Sequence, residues 1–184
     1  MGESPPFDPR AIANLLLDLA ERKSLRISHV ALQKLLFFAH ARYLVDNKAP
    51  LVKGHFEAWQ YGPVHPAVFK AFKGNGRQPI NKRALATNIV SGETWVVPAP
   101  DFPPAIAAVE RILDQLGNLD GNSLIKLSHA KNGPWHAVVS KSKVAFSFGM
   151  RIDDTVIQER FRNHWMVVGS ASQTGEPHED APFA

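Results

Sequence analysis

From Ser28 to about Asp46 the chain carries a helix-length segment that is apolar around most of its circumference. Ser28 is a good N-cap, and Leu32, Leu35, Leu36, Ala39 and Tyr43 recur at helical spacing behind it. Phe37 and Phe38 widen the stripe well beyond one face. A helix that is apolar on several sides must be covered on several sides, so it belongs at the centre of a domain. This favours a mainly α (α+β) fold, a compact helical domain of about six helices with a small β element.

The flanking segments supply the covering elements. Asp8 as N-cap, Pro9 at the first helical position and Phe7 poised to staple onto Ile12 predict an earlier helix, with Ile12, Leu15, Leu16 and Leu19 as its stripe. Phe56 to Tyr61 reads as a short strand broken by Gly62-Pro63. Pro66 opens a third helix that stops at Gly74. Asn88-Ile89-Val90 and Thr94 to Val97, around Ser91-Gly92, predict a β-hairpin. Further helices are expected from Pro104 to Leu116 with Gly117 as C′, near Ser123 to His129, and over Trp135 to Ser140. Asp154 is placed to cap a last helix carrying Ile157, Phe161 and Trp165. The β element is expected from residues 54–60, 86–97 and 144–150. Residues 1–6 read as a disordered lead-in, 7–169 as the domain and 170–184 as a mobile acidic tail.

At 184 residues and 20.3 kDa, with 45% hydrophobic and 21% charged residues, the chain is long enough to bury its own core. It has no cysteine, which excludes disulfides, a Cys nucleophile, an iron–sulfur cluster and thiolate zinc. The longest apolar run, Leu35 to Ala39, has five residues, far short of a membrane span at ~20. The N-terminus lacks the features of a signal peptide. These features point to a soluble, cytoplasmic protein.

The net charge is +4, but its distribution matters more than its size. Lys70, Lys73, Arg77, Lys82 and Arg83 form a stretch without an acid, and Lys126, Lys131, Lys141 and Lys143 form a second. Two readings stand open: solvated loops, or patches that attract an acidic partner or nucleic acid.

Catalytic signatures are missing. Gly74-Asn75-Gly76-Arg77 matches neither a dinucleotide fingerprint nor a phosphate loop, and no G-x-S-x-G occurs. Of the eight histidines, no two have H-x-x-x-H spacing. His29 and His40 fall on nearly one helix face but some 16 Å apart, too far to share a metal. His65 and His136 are the only tempting acid–base residues. No metal and no cofactor are expected, and Asp153-Asp154 is read as helix capping.

Three segments combine large aromatics with Gly or Gly-Pro stops: LQKLLFFAHARYL (Leu32 to Leu44), EAWQYGPVHPAVFKAF (Glu57 to Phe72) and LSHAKNGPWHAV (Leu127 to Val138). Their aromatics serve either as packing anchors or as a partner-binding face. Their order and spacing, across about residues 11–167, resemble the Panacea domain, the SocA-like antitoxin family, also described with phage-associated proteins.

The resemblance implies a mainly helical, non-enzymatic domain that neutralises a protein toxin by direct contact. The likeness reaches the family's name-giving member, which implies a proteolytic adaptor that delivers its toxin to the ClpXP protease. The motif residues themselves do not mark an interface. Candidate partner-binding residues are Phe37, Trp59, Tyr61, Lys70, Lys73 and Arg77. Phe37 is included because it lies between Gln33 and His40 on the more polar side of its helix. The cations would steer an acidic partner, and the chain ends would serve as tethers to a protease. The competing reading is a nucleic-acid-binding transcriptional regulator, although no helix-turn-helix is signalled.

Overall fold

The computed structural model describes residues 4–141 and 150–161. Helix α1 spans Pro9–Arg22, and Asp8 Oδ1 accepts from the Arg10 amide at 2.8 Å, as its N-cap position demands. Helix α2 spans His29–Asn47, capped by Ser28 Oγ accepting from Ala31 N. Strands β1 (Phe56–Trp59) and β2 (Gly62–Val64) lead into α3 (Pro66–Phe72). Strands β3 (Leu85–Thr87) and β4 (Thr94–Val96) precede α4 (Pro103–Leu116), α5 (Gly121–Ser128), α6 (Pro134–Val139), β5 (Arg151–Ile152) and α7 (Asp154–Phe161).

The fold is mainly α with two small antiparallel sheets. Helix α2 is its axis: it touches α1, α3, α4, α5, α7 and β2. Every residue from Ala31 to Ala41 is buried, which is what an apolar circumference requires. Helices α1 and α4 cover one side, with Ile12, Leu16, Val109, Ile112 and Leu113 wholly inside. Phe161 of α7 closes on Phe38, with ring centres 6.3 Å apart.

The larger sheet has the order β2-β1-β5. Gly62-Pro63 does not break it, contrary to the expectation from sequence. Gln60-Tyr61 turns the chain, and Gly62 and Pro63 then pair with Trp59 and Ala58. Proline is tolerated because β2 is an edge strand and loses no ladder donor. The second sheet, β3–β4, starts and ends close to its expected place, but its turn does not. Asn88 Oδ1 accepts from the amides of Val90 and Ser91 at 2.9 and 3.2 Å, so Ile89 and Val90 lie in the turn instead of a strand.

Helix α7 begins at Asp154, one residue earlier than capping by that side chain would give. The Asp154 carboxylate instead meets His40 Nε2 at 2.9 Å. Gly117 caps α4 in the right-handed region, with φ −64°, and not as a left-handed terminator. A Cβ there would stand 2.5 Å from Leu113 O and 2.7 Å from Leu25 Cδ1, so close packing accounts for this glycine. Residues 142–149, Trp165 and the segment 170–184 lie outside the described residues.

Candidate functional site

The three aromatic segments converge on one buried point. Lys34 on α2 reaches across and donates to Pro63 O of β2 at 3.0 Å. Its neighbour Gln33 accepts from the His65 amide at 2.9 Å, tying α2 to the start of α3. Trp135 at the start of α6 donates from Nε1 to Trp59 O at 2.8 Å. Gly62 sits in the middle with φ +98°, and a Cβ there would lie 2.4 Å from Ser128 Oγ and 2.9 Å from Lys34 Cε. Only glycine combines that dihedral with that proximity. The segments that carry the resemblance are therefore joined by hydrogen bonds and close approach inside the molecule.

Lys34 is 1% exposed, and burial pushes its ammonium down to about 7. His129 stacks on Trp135 with ring centres 3.7 Å apart. Burial, followed by the nearby Lys34 charge, lowers His129 to about 4, so its ring is neutral at physiological pH. Ser128 Oγ donates to Ile125 O at 2.8 Å, so the hydroxyl is engaged with its own helix. These groups form a buried polar joint between α2, β2 and the α5–α6 corner.

Three further histidines, His40, His65 and His136, are also engaged inside the fold. The Val52 amide donates to His40 Nδ1 at 3.4 Å, which leaves Nε2–H to donate to Asp154. His65 donates from Nε2 to Lys53 O at 2.9 Å, lies edge-on to Phe56 and is buried. Burial, ahead of the opposing effect of that carbonyl, lowers its basicity. His136 Nδ1 accepts from the Asn132 amide at 3.3 Å. Among the described residues no group of three or more His, Asp or Glu could hold a metal ion, and no helix is long and apolar enough to cross a membrane.

The candidate partner-binding residues divide between inside and outside. Phe37 is 1% exposed and packs edge-on against Phe56 at 5.2 Å, so its expected surface position is corrected. Its polar flanks mislead because Gln33 and His40 are themselves buried, each with a partner from a distant segment. Trp59 is also buried: Nε1 donates to Glu57 Oε2 at 2.7 Å and the ring lies 4.8 Å from Phe69. Tyr61 is half-buried in the β1–β2 turn. Lys70, Lys73 and Arg77 are exposed, as is Lys82, and none of the four forms an ion pair among the described residues. Arg83, by contrast, is held by Asp18 and Glu21, both at 2.6 Å.

The basic segment runs back along α1. Ile80 N donates to Ile27 O, Arg83 meets Asp18 and Glu21, and Arg10 reaches Leu85 O. An open cleft of about 420 Å³ lies beneath it, lined by Leu17, Ala20, Arg26, Ile27, Ile80 and Arg83 among others. Asn14, 1% exposed in the middle of α1, anchors the root of the β3–β4 hairpin. Its Oδ1 accepts from Ala84 N at 2.8 Å, and its Nδ2 donates to Val97 O and Ala84 O at 2.7 and 3.2 Å. Sequence reasoning passed over Asn14, although a lone amide inside an apolar helical stripe signals a buried hydrogen-bonding duty.

A family model described as Antitoxin SocA-like, Panacea domain, matches residues 32–136, more than half of the chain. The chain belongs to the SocA-like antitoxin family. It is 43% identical over 175 residues to Antitoxin SocA of Caulobacter vibrioides (strain NA1000 / CB15N), covering 95% of this chain and 93% of that one. No solved structure matches it. The match begins at Leu32 and ends at His136, so it contains the whole Lys34–Gly62–Trp135 joint as well as β3–β4.

Proposed function

We propose that the chain is a cytoplasmic antitoxin that neutralises a cognate protein toxin by direct binding, without catalysis. The likeness to an antitoxin along 95% of the chain carries this reading. The four exposed cations, which form no ion pair among the described residues, support it, because they would attract an acidic partner and raise the association rate. Tyr61, Lys70, Lys73 and Arg77 form the proposed contact surface. Phe37 and Trp59 serve it from inside, by fixing the elements that carry it.

The finer mechanism is delivery of the bound toxin to ClpXP. A binding protein that neutralises by adaptor action needs one surface for the toxin and another for the protease. The test is co-expression with the protein encoded by the adjacent gene, followed by co-purification and a degradation assay with purified ClpXP. The expected result is a stable complex and toxin loss that depends on both this protein and ClpXP. A complex that protects cells while the toxin stays intact would remove the adaptor role and leave the antitoxin. Failure to form any complex would overturn the reading.

A further inference from the structure

The five large apolar side chains that stand exposed among the described residues all lie on one element, the β3–β4 hairpin: Leu85, Ile89, Val90, Trp95 and Val96. Ile89 and Val90 are 98% and 97% exposed at its tip. A turn normally carries Gly, Asn, Asp or Ser, and this one gains nothing structural from two β-branched side chains in solvent.

The arm is nonetheless well held. Ala84 and Val97 at its root are buried, bonded to each other (Val97 N to Ala84 O, 3.0 Å) and clamped by Asn14. Arg10 donates to Leu85 O at 3.2 Å. At the tip, Asn88 N donates to Glu93 O at 2.8 Å, and Asn88 Oδ1 holds the Val90 and Ser91 amides. Leu85 pairs with Val96, and Ala86 with Trp95. Alternation then puts Leu85 and Val96 side by side on one face, with Trp95 on the other beyond the buried root. The result is a preformed arm with apolar groups on both faces and at its end, so binding would cost little ordering entropy.

We propose that this hairpin is the arm that docks into the toxin, with Ile89 and Val90 entering an apolar cleft whose rim is acidic. The proposal rests on the antitoxin reading and adds to it the surface and the partner's chemistry. Charge complementarity selects the occupant. From Lys70 to Gly92 the chain holds no acidic residue, and Lys70, Lys73, Arg77 and Lys82 are exposed on the approach to the arm, with no ion pair among the described residues. A second copy of the chain would bring the same cations against one another. Nucleic acid would suit the cations but not an aliphatic tip, which offers neither stacking rings nor hydrogen-bond donors to bases.

The test uses the full chain, the protein encoded by the adjacent gene, and a double variant, Ile89→Asp with Val90→Asp. Both side chains are in solvent, so the melting temperature should match the wild type. A milder pair, Ile89→Ser with Val90→Ser, guards against an effect of added charge alone. Calorimetric titration should show the Asp pair binding about 100-fold more weakly and the Ser pair more than about 10-fold more weakly, the loss expected of an interface hot spot. Wild-type affinity in both variants would overturn the arm and leave the antitoxin standing. No binding by the wild type itself would overturn the antitoxin reading and the arm with it. Sedimentation adds a further arm: a wild-type dimer that the Asp pair turns into monomer would make the occupant a second copy. Loss of binding to the chain's own promoter duplex, with toxin affinity unchanged, would assign the hairpin to nucleic acid. Either result overturns the proposal.

Discussion

The joint around Gly62 and the β3–β4 hairpin are opposite solutions to holding a small sheet on a helical core. At the joint, side chains from α2 and α5 press on β2, Trp135 of α6 bonds to β1, and Lys34, Gln33 and Trp135 are buried with hydrogen-bond partners. On the hairpin only the root is buried, by one asparagine, and large apolar groups face solvent. The contrast separates two duties. The segments that make the chain recognisable specify its packing, while the exposed apolar surface lies between the second and third of them.

The largest effect should come from filling the joint. Gly62→Val places a β-branched side chain at φ +98° and a Cβ 2.4 Å from Ser128 Oγ. Strain and overpacking together predict a loss of roughly 4 kcal/mol or more, read as a collapsed urea midpoint or as insoluble protein. A normal midpoint would mean that the joint yields more easily than its close contacts suggest.

A second test titrates the joint. Lys34 falls from 10.5 when unfolded to about 7 when folded, and His129 from 6.5 to about 4. In both cases the unfolded chain binds the proton first as pH is lowered. The neutral-Lys34 contribution is therefore complete above 10.5 and is lost as pH falls to 7, and the His129 contribution is lost between 6.5 and 4. At ~1.4 kcal/mol per pKa unit the Lys34 step is bounded at about 5 kcal/mol and the His129 step at about 3–4 kcal/mol. Lys34→Met should flatten the upper step and His129→Phe the lower one in melts across pH. Ile89 lies on the hairpin, away from the joint, so Ile89→Ser should leave both steps intact.

Asn14→Ala sharpens the comparison from the other side. It strips the partners from Ala84 N and Val97 O at the hairpin root, while Ala84 O keeps the Val97 amide. The expected cost is about 2 kcal/mol, with amide exchange across 85–96 accelerating while α2 stays protected. Uniform acceleration in both regions would show that joint and arm open as one unit.

The smallest stability effect belongs to the cations. Lys70→Glu, Lys73→Glu and Arg77→Glu together should move stability by less than about 0.5 kcal/mol, because all three are exposed and form no ion pair among the described residues. Toxin association should slow and lose its salt dependence. An unchanged rate would confine the contact surface to apolar groups.

Elements with local causes were legible in the sequence alone. Asp8, Pro9 and Ser28 start helices because a cap needs only its next three residues, and the broad apolar arc of α2 forced that helix to the centre. Tertiary structure settled whatever depends on a partner far along the chain. Phe37 lies inside because Gln33 and His40 find partners at His65 and Asp154. Lys34 is buried because Pro63 O, 29 residues away, accepts from it. Ile89 and Val90 stand in solvent because, among the described residues, the hairpin is held near its root, by Asn14 and Arg10 some 70 residues earlier. Helical periodicity reports which residues share a face. Whether that face meets water depends on what the rest of the chain brings to it, and a polar side chain with a distant partner is as much at home in the core as a leucine.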